Sequence, residues 1–492
     1  MLLRNPHGSA IRLSIVFVLG VSIFSVSNAV VSTAAEKPNI VLINVDDLGY
    51  ADIGPYGNTT QATPHLDRLA REGRLLTSHY GAPVCSPSRA SLMTGCYPKR
   101  ALPVSHVLFP ASAVGLAPAE ITVAEVLKSV GYATACIGKW HLGDQPEFLP
   151  TRQGFDYYYG LPYSNDMGPP ADGAKSNYGK PLPERAVTKA NEKAANRPED
   201  GLRGNLQPPL PLLENERVVE RVKAEEQATL TRRYTEKVTQ FMREHKAGPF
   251  FVYFPHTAVH FPLYPSESFR GTSKNGLLGD WVSEVDWSVG QVLATVDDLG
   301  IADNTLIIFT SDNGGPKNHG ANNDPLRGAK GSTLEGGIRV PTLCRWPGKI
   351  PAGTKTAAIT SMMDILPTLA QLGGAQLATD RKIDGVDIWP VMSGTATEVN
   401  APRNEFLYFR GLKLEAVRRG DWKLHLAGNE LYNLANDIGE AKNVAAEHAD
   451  KVAELLQLAK SIDDDLGSDG VGRGCRELGR VPNAVPLIND AE

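Results

Sequence analysis

The sequence has few cysteines and no apolar run long enough to span a membrane. Among its 492 residues there are five cysteines, an odd number. The apolar stretch at residues 13–26 is only roughly 14 residues long, short of a membrane-spanning helix. The formal net charge of −5 argues against a protein that coats nucleic acid or another polyanion. Any site for a small anion must therefore use a few cations gathered in a cleft.

The beginning of the chain has the pattern of a secretory signal. Arg4 and Arg12 precede the apolar stretch, as the charged region of a signal peptide does. We expect residues 1–35 to be a signal peptide, cleaved near Ala29 or Ala35, and the mature protein to be exported to a periplasmic, secreted or lumenal location. An uncleaved anchor or a lipoprotein is the alternative. No cysteine lies within the apolar stretch or directly after it, so we do not expect lipidation there, and the stretch is too short for stable membrane insertion.

Export would normally pair the cysteines in disulfides, and five cannot all pair. Nothing in the sequence fixes a pairing. Free buried thiols fit equally well, because Cys136 lies within an apolar, strand-like run.

Four apolar, β-rich runs recur along the chain with helical stretches between them. This is the pattern of a parallel sheet covered on both faces by helices. The runs are residues 40–45, 132–137, 250–254 and 305–310. The polar residues that follow them are, in the same order, Asp46 and Asp47, Lys139 and His141, His256 and His260, and Asp312 and Asn313. Ligands of open α/β sheets bind beyond the carboxyl ends of the strands, so we expect these groups to meet at one edge.

The rest of the chain predicts helices, one long loop and a second domain. We expect helices at residues 121–130, 225–244 and 281–299. Residues 166–211, rich in Pro, Gly, Asn and Lys, predict a surface excursion over the cleft. Short strands are expected at 406–409, 416–418 and 422–426, with a closing helix near 449–461. A chain of this length should hold one large domain, at 36–375, and a C-terminal subdomain with a small antiparallel sheet, at 376–492.

Cys85 begins a Cys-x-Pro-x-Arg segment, Cys85-Ser86-Pro87-Ser88-Arg89. Pro87 suits the first turn of a helix and Ser86 can cap it. The free N–H groups of such a helix start favour an anion or a lowered thiol pKa. On its own, the segment fits equally well a structural cysteine before a proline-initiated helix.

The flanking sequence decides between these interpretations. The further blocks are residues 38–50 (PNIVLINVDDLGY), 138–143 (GKWHLG), 310–315 (TSDNGG), 325–331 (PLRGAKG) and 430–434 (ELYNL). In order and spacing the chain resembles the type I, formylglycine-dependent sulfatases, and within them arylsulfatase A and N-acetylgalactosamine-6-sulfatase. The resemblance covers nearly all of the mature chain. It implies a sulfuric ester hydrolase with an alkaline-phosphatase-like α/β fold, in which a large, mostly parallel mixed sheet lies between helices, with a smaller C-terminal α+β domain.

The resemblance also implies the chemistry of Cys85. A formylglycine-generating enzyme would convert it to formylglycine (3-oxoalanine), which is hydrated to a gem-diol. One diol oxygen would bind a divalent metal and attack sulfur, and the second would allow sulfate to be eliminated. The expected substrate is a small-molecule or oligosaccharide sulfate ester, with a sulfated carbohydrate favoured, and no nucleic acid.

Three carboxylates and one amide oxygen are the predicted metal ligands, beside Cys85. They are Asp46, Asp47, Asp312 and Asn313. All-oxygen ligation suits Ca²⁺ or Mg²⁺ rather than zinc. An isolated Asp-Asp pair at a strand end is often just a turn or a cap. The residues permit either metal, and the resemblance implies Ca²⁺.

Three further predictions concern the groups beside the modified residue. Arg89 lies one helical turn after Cys85 and should hold the diol or the metal ligands in place. Lys139 and His141 alternate on an expected extended segment and should share one face. The resemblance assigns them to orienting the diol and to base-assisted sulfate release. In isolation, the segment would be read as a loop with a solvated lysine.

His260 and Lys330 are predicted on the leaving-group side, where they would grip sulfate oxygens and stabilise or protonate the departing alkoxide. His260 matches the family's His-x-Pro block, whereas His256 fits a packing role better. Ser164 lies in a segment that resembles a substrate-facing block of arylsulfatase A, so it is expected to contact sulfate. The segment departs from that block at Asn165, where arylsulfatase A has histidine.

Two other functions fit parts of the sequence. The first is a phosphate or phosphonate monoester hydrolase of the same superfamily, some members of which share the Cys-x-Pro-x-Arg segment. The Lys330 block and residues 138–141 favour a sulfatase, and the extra zinc ligands of a two-zinc phosphatase are missing. The second is a non-enzymatic glycan-binding relative, which would be expected to have lost Cys85, the acids or the cations.

Overall fold

The described residues, which are 14, 37–181 and 198–489 of this computed structural model, are built around a ten-stranded mixed sheet. The predicted signal peptide, except residue 14, lies outside them. The strands, labelled β1 to β21 in chain order, are Asn39–Val45, Arg74–Leu76, His79–Tyr80, Val114–Gly115, Ala133–Ile137, Tyr157–Gly160, Ser176–Asn177, Lys180–Pro181, Leu210–Glu214, Arg217–Val222, Phe250–Pro255, Thr305–Ser311, Arg339–Val340, Leu343–Arg345, Thr354–Thr356, Thr360–Ser361, Glu405–Arg410, Lys413–Arg419, Trp422–His425, Glu430–Asn433 and Gly479–Arg480. The order across the large sheet is β10-β9-β6-β5-β11-β1-β12-β14-β2-β15.

The centre of this sheet is parallel. Strand β1 pairs in parallel with β11 on one side and β12 on the other, and β11 pairs in parallel with β5. These are the four strands expected from the sequence, so their existence and parallel direction are confirmed, and the structure adds their order. Their carboxyl ends point to one edge, which brings the polar residues that follow them together.

Helices cover both faces of the sheet, as expected. Labelled α1 to α11 in chain order, they are Pro64–Glu72, Cys85–Thr94, Pro98–Ala101, Val123–Ser129, Ala224–Gln227, Leu230–Glu244, Gly276–Asp298, Glu335–Ile338, Ile365–Gly373, Trp389–Met392 and Ala449–Lys460. None of the helices in the described ranges is long and apolar enough to cross a bilayer.

The predicted helix at 225–244 is two helices, α5 and α6, so that prediction was wrong in its continuity. The Thr229 amide and hydroxyl both donate to the Glu226 carbonyl, at 2.9 and 2.8 Å. This local turn competes with continued helical hydrogen bonding and separates the two segments.

Every residue of β1 is buried, and alternate side chains enter two different cores. Val41, Ile43 and Val45 pack with α1, α6 and α7 on one face. Ile40 and Leu42 pack with α2, α4 and α9 on the other. A strand buried on both faces needs a continuous apolar run, which explains why β1 was recognisable in the sequence.

A four-stranded antiparallel sheet, β17-β18-β19-β20, forms the small C-terminal domain. Helix α11 packs on it through Leu455 and Leu458. The antiparallel sheet and the closing helix are confirmed. Its last strand, β20, was not predicted as a strand.

Candidate active site

Two acidic strand ends meet at the carboxyl edge of the central sheet. Asp46 and Asp47 follow β1, and Asp312 and Asn313 follow β12. The Asp47 amide donates to Asp312 Oδ1 at 3.2 Å, and Asn313 Nδ2 donates to Asp47 Oδ1 at 2.8 Å. All four side chains are buried. The parallel register of β1 and β12 thus creates a cluster of three carboxylates and one amide.

Cys85 is the first residue of α2, which points its side chain at this cluster. Its Sγ lies 3.2 Å from Asp46 Oδ1. The expected cap, Ser86, is not the capping residue. Val84 occupies that position without a side-chain bond, and Ser86 Oγ instead accepts from the Leu108 amide at 3.1 Å. The Ser86 hydroxyl, which was predicted to cap the helix, therefore makes a tertiary hydrogen bond instead.

The expected lowering of the thiol pKa was also wrong. Burial, with Asp312 and Asp46 close by, raises the pKa of Cys85 well above its usual range. Desolvation penalises the charged form and outweighs the helix start and the nearby lysines. The unmodified side chain is therefore a neutral thiol near pH 7.

Arg89 lies inside the same buried cluster. Its Nε and Nη2 donate to Asp312 Oδ2 at 3.0 and 2.8 Å, and its Nη1 donates to the Lys139 carbonyl at 2.6 Å. Burial and the nearby Asp46 raise the pKa of Asp312, while Arg89 opposes that rise. The arginine fixes one carboxylate and the backbone beside Lys139 at the same time.

Lys139 lies between a carboxylate and a hydroxyl. Its amine donates to Asp46 and, at 3.0 Å, to Ser164 Oγ. The preceding Gly138 has φ 130°, and a Cβ there would lie 1.8 Å from the Pro255 carbonyl oxygen. Only glycine allows the end of β5 to approach β11 so closely, and this approach delivers Lys139 to the cluster.

His141 has φ 64°, so the segment is not regularly extended there and the expected alternation does not hold. Its Nε2 lies 2.9 Å from the Leu108 carbonyl oxygen. A carbonyl only accepts, so Nε2 carries the proton and Nδ1 keeps its lone pair. Nδ1 is buried and has no hydrogen-bond partner among the described residues. Burial, reinforced by Lys139 and Arg89, holds the pKa of His141 well below its usual value.

Lys330 and His260 contact the cluster at Asp47, and Ser164 lies between His260 and Lys139. Lys330 Nζ is 2.6 Å from Asp47 Oδ1 and 3.7 Å from Cys85 Sγ. Burial alone would lower the pKa of Lys330, but the charge of Asp47 reverses this and the pKa is raised. His260 Nε2 lies 3.6 Å from Asp47 Oδ2 and 3.3 Å from Ser164 Oγ.

Two predicted neighbours lie apart from this group. His256 is fully buried, its ring centre lies 4.0 Å from that of Phe254 at an interplanar angle of 37°, and its Nε2 lies 3.4 Å from Ser288 Oγ. Burial lowers the pKa of His256 to about 3. Asn165 is also buried, and its Nδ2 donates to Gln227 Oε1 at 3.1 Å. Neither lines the cavity above Cys85.

A cavity of about 310 Å³ opens above Cys85. It is lined by Val84, Cys85, His106, Val107, Phe109, His141, Ser164, Asp166, Met167, His260, Phe261, Pro316, Lys317, Asn318, His319, Ala329, Lys330 and Gly331. The predicted excursion at 166–211 begins here with Asp166 and Met167, and its Arg203 stacks 4.3 Å over Phe109. Residues 182–197 of that excursion lie outside the described residues.

The cluster offers ligand atoms for a cation. One atom each of Asp46, Asp47, Cys85 and His260 lie within 4.8 Å of one another. Asn313 Oδ1 is buried and accepts no hydrogen bond from the described residues. An unpaired buried carbonyl oxygen is costly unless something binds it, and a hard cation would do so.

Comparison with known proteins identifies the group to which this arrangement belongs. The family model described as Sulfatase matches residues 38–375. The chain belongs to the sulfatase family. It is 40% identical to mouse steryl-sulfatase over 436 residues, covering 78% of this chain and 69% of the relative. It is 37% identical to bovine arylsulfatase A over 482 residues, covering 87% of this chain and 88% of the relative. It is also 37% identical to dog N-acetylgalactosamine-6-sulfatase over 407 residues, covering 80% of this chain and 72% of the relative.

Solved structures have the same fold. The PsFucS1 sulfatase from Pseudoalteromonas sp. superposes with a TM-score of 0.75 at 28% identity, covering 90% of this chain and 92% of that one. Ps i-CgsB in complex with k-i-k-neocarrahexaose gives 0.73 at 30% identity, covering 87% and 92%. The phosphonate monoester hydrolase of Agrobacterium radiobacter superposes with a TM-score of 0.56 at 21% identity, covering 87% of this chain and 95% of that one. At this identity the comparison shows a shared fold and nothing more.

The chain is therefore a sulfuric ester hydrolase with the alkaline-phosphatase-like fold expected from the sequence. In this sulfatase, four residues that line the cavity were not predicted from the sequence, namely His106, Phe109, Lys317 and His319. Lys317 and His319 could have been found, because they follow the 310–315 block directly as a basic pair in an acidic chain. The 106–109 segment carries no comparable signal.

The five cysteines are all free thiols, and only Cys475 is not buried. The pairing that the sequence left open is thus resolved, in this structure, in favour of free thiols. Cys136 lies inside β5, as its apolar surroundings suggested.

Proposed function

We propose that this sulfatase hydrolyses sulfate monoesters of carbohydrates with a nucleophile formed from Cys85. The observation that carries the proposal is the position of Cys85 at the base of the cavity, with its Sγ 3.2 Å from Asp46 Oδ1. The proposed catalytic residues are Cys85, Arg89, Lys139, His141, His260 and Lys330. The proposed substrate-binding residues are Ser164, Lys139, His260 and Lys330.

Modification of Cys85 to formylglycine is supported by the family and by the state of the thiol. Thiol nucleophiles act as thiolates, and a buried thiol with a raised pKa supplies little thiolate at neutral pH. In the sulfatase family, a hydrated formylglycine supplies both a nucleophilic oxygen and an exit for sulfate. A formylglycine-generating enzyme is therefore the proposed partner during maturation.

A divalent cation is proposed to bind Asp46, Asp47, Asp312 and Asn313, next to residue 85. The unpaired Oδ1 of Asn313 and the oxygen-rich donor set support this assignment. The family implies Ca²⁺, and Mg²⁺ also fits the donors. A cation there would supply Lewis-acid stabilisation of developing negative charge.

Arg89, Lys139 and His141 are proposed to prepare this centre for reaction. Arg89 fixes the orientation of Asp312 by two hydrogen bonds. Lys139 holds Asp46 on one side and Ser164 on the other. His141 presents an unprotonated Nδ1, because its proton is on Nε2, which donates a hydrogen bond to the Leu108 carbonyl. This nitrogen can accept a proton during release of sulfate.

His260 and Lys330 are proposed to serve the leaving group. Both line the cavity, and both contact Asp47 from the cavity side. Lys330 stays charged and can hold a sulfate oxygen. The Nδ1 of His260 lies 2.5 Å from the Phe261 carbonyl, which only accepts, so it is the doubly protonated ring that can donate a proton from Nε2 to the departing alkoxide. Ser164 is within reach of His260 and of Lys139, so it is proposed to contact the same sulfate group.

A carbohydrate substrate is supported by the solved structures that share this fold. One of them, Ps i-CgsB, is in complex with k-i-k-neocarrahexaose. The cavity volume of about 310 Å³ is at the small end of ligand pockets. A single sugar unit bearing the scissile ester fits such a site.

The predicted processing and domain division are part of the proposal. Residues 1–35 are proposed to be a cleaved signal peptide that exports the protein. The division into a catalytic domain at 36–375 and a C-terminal subdomain at 376–492 is supported by the family match to residues 38–375.

Turnover of matched esters tests the proposed activity against its main alternative. The purified, metal-loaded enzyme should hydrolyse 4-nitrophenyl sulfate with a larger kcat/KM than 4-nitrophenyl phosphate or a phenyl phosphonate ester. A preference for either phosphorus ester would instead support the phosphate or phosphonate hydrolase.

A further inference from the structure

Ser86 follows the proposed nucleophile in the Cys-x-Pro-x-Arg segment and has no part in the proposed chemistry. Its side chain is fully buried near the start of α2. Its Oγ accepts a hydrogen bond from the Leu108 amide at 3.1 Å, across 22 residues of sequence. The Ser86 hydroxyl therefore ties the helix that carries Cys85 to the loop that contains Leu108.

Leu108 contacts the proposed base, His141, through its other backbone group. Its carbonyl oxygen lies 2.9 Å from His141 Nε2, and its buried side chain packs in the same core as α2. The loop has a further anchor, because the Ala111 amide donates to Asp144 Oδ2 at 2.6 Å, three residues after His141. Leu108 is thus held by its amide, its carbonyl and its side chain, and a shift of this residue would alter its bond to His141.

The bond between His141 and Leu108 decides which ring nitrogen can accept a proton. The ring is neutral, because burial, with Lys139 and Arg89 nearby, holds the pKa of His141 well below its usual value. A neutral imidazole has one N–H, and the bond to a carbonyl places it on Nε2 and leaves the lone pair on Nδ1. Without that carbonyl the proton could lie on either nitrogen, and part of the protein would have no free Nδ1.

We propose that Ser86 is a positioning residue, which keeps His141 in the tautomer that accepts a proton by holding Leu108 in place. This inference rests on the proposed function, in which His141 Nδ1 accepts a proton during release of sulfate. Removing the Ser86 hydroxyl leaves the buried Leu108 N–H without its acceptor. A buried N–H without an acceptor is costly, so the loop should shift to satisfy it, and the carbonyl of the same residue then moves away from His141.

The kinetics of Ser86→Ala separate this role from general damage to the site. His141 is proposed to act after the alcohol has left, so its misplacement should lower kcat for 4-nitrophenyl sulfate about tenfold and lower KM with it, leaving kcat/KM within about twofold of the wild type. A burst of 4-nitrophenol should precede the steady state, because departure of the phenol stays fast. Rates are expressed per modified residue 85, counted by peptide mass spectrometry, since the substitution lies next to Cys85. Ser86→Thr keeps a hydroxyl and should restore kcat.

The tautomer can be measured in the resting protein, independently of turnover. In wild-type protein labelled with ¹⁵N-histidine, the His141 signals, assigned by comparison with His141→Gln, should show a protonated Nε2 and an unprotonated Nδ1. Ser86→Ala should move the two nitrogen signals toward each other, as a mixture of tautomers does, and Ser86→Thr should return them. Ser91→Ala is the matched control, because it removes another buried hydroxyl of α2, one that donates to the Cys96 carbonyl at 2.8 Å. It should leave the His141 signals and kcat as in the wild type.

Two results would overturn the positioning role of Ser86. One is an unchanged His141 tautomer in folded Ser86→Ala, and the other is a fall in kcat/KM as large as the fall in kcat. A wild type that shows the expected tautomer but no turnover of 4-nitrophenyl sulfate would instead count against the proposed function.

Discussion

Lys330 Nζ lies 2.6 Å from Asp47 Oδ1, so a loop that follows β12 delivers a cation onto the end of β1. The same pattern recurs in the centre, where Arg89 binds Asp312 and Lys139 binds Asp46. Three cations thus balance three buried carboxylates. Removing either partner of a buried pair leaves an uncompensated charge, so each pair is sensitive to substitution.

The metal ligands provide the first prediction. Asp312→Asn should weaken divalent-cation binding by at least about tenfold and lower turnover with it, because one of three carboxylates is lost. Metal content per protein, measured by elemental mass spectrometry, and add-back of Ca²⁺ or Mg²⁺ after chelation check this. Asp450→Asn, at an exposed position, is the control. Full turnover of the wild type after verified removal of metal would refute the site.

The two histidines after β11 provide the second prediction. His260→Ala should reduce turnover on the order of 10²–10⁴-fold, the range for losing a positioned proton donor. The loss should be smaller for an aryl sulfate, whose phenol leaves easily, than for a sugar sulfate. His256→Ala, in the buried position beside Phe254, should cost less and show no dependence on the leaving group. If His256 shows that dependence and His260 does not, the two roles are exchanged.

The C-terminal sheet provides the third prediction, through Lys423. This fully buried lysine lies 2.9 Å from Glu335 and 2.8 Å from Glu440, and its Nζ donates to the Thr333 carbonyl at 2.9 Å. Thr333 is three residues after Lys330. The β19 strand therefore holds the loop that carries the active-site lysine.

Lys423→Met should destabilise the fold by about 3 kcal/mol, the low end for breaking a buried pair, because it removes the lysine that two buried carboxylates share and leaves Glu335 with Arg339 and Glu440 with His425. At a temperature where circular dichroism shows the variant folded, kcat should still fall at least about tenfold, since Lys330 loses its support. Thr333→Val is a milder change, removing the 2.8 Å bond to Glu415, and should lower kcat less. Lys451→Met, which removes a half-buried lysine of α11 paired with Glu454 at 2.8 Å, should change stability little and leave kcat unchanged. Wild-type kcat in folded Lys423→Met would contradict this role.

A buried glutamate far from the centre predicts how stability depends on pH. Burial raises the pKa of Glu284 from 4.5 to about 7. Between these two values the folded state retains a proton that the unfolded state has lost, so stability falls as the pH rises from about 4.5 to about 7 and then levels off. The shift corresponds to about 3 kcal/mol.

Glu284→Gln tests this, because Gln keeps an oxygen to accept from the Ser266 amide and cannot ionise. The wild type should lose more thermal stability than Glu284→Gln between pH 5 and pH 8. Parallel pH profiles for the two proteins would show that Glu284 does not titrate in this range.

The parts of the site that the sequence predicted are those tied to local pattern. Asp46, Asp47, Asp312 and Asn313 could be placed together because each pair follows a largely apolar strand of a parallel sheet. Cys85 could be placed at a helix start because proline follows two residues later. Both patterns involve short stretches whose geometry is set by neighbouring residues.

The parts that the sequence could not predict depend on contacts between distant segments. Ser86 does not cap the helix, because its hydroxyl accepts a hydrogen bond from the distant Leu108 amide. The pKa of Cys85 is determined by burial and not by the helix start. His106 lies in a loop and Lys317 in a single 3-10 turn, and neither segment has a periodicity that reveals the direction of its side chains. The bond from Lys423 to Thr333 joins residues 90 apart in sequence.

The state of residue 85 is the most direct test of the whole account. Peptide mass spectrometry of the active enzyme should show the Cys85 peptide lighter by about 18 Da, the result of replacing CH₂SH with CHO. Across preparations with different degrees of modification, turnover of 4-nitrophenyl sulfate should rise in proportion to the modified fraction, and Cys85→Ala should fold without activity. Full turnover from protein in which Cys85 is entirely an intact thiol would contradict the account.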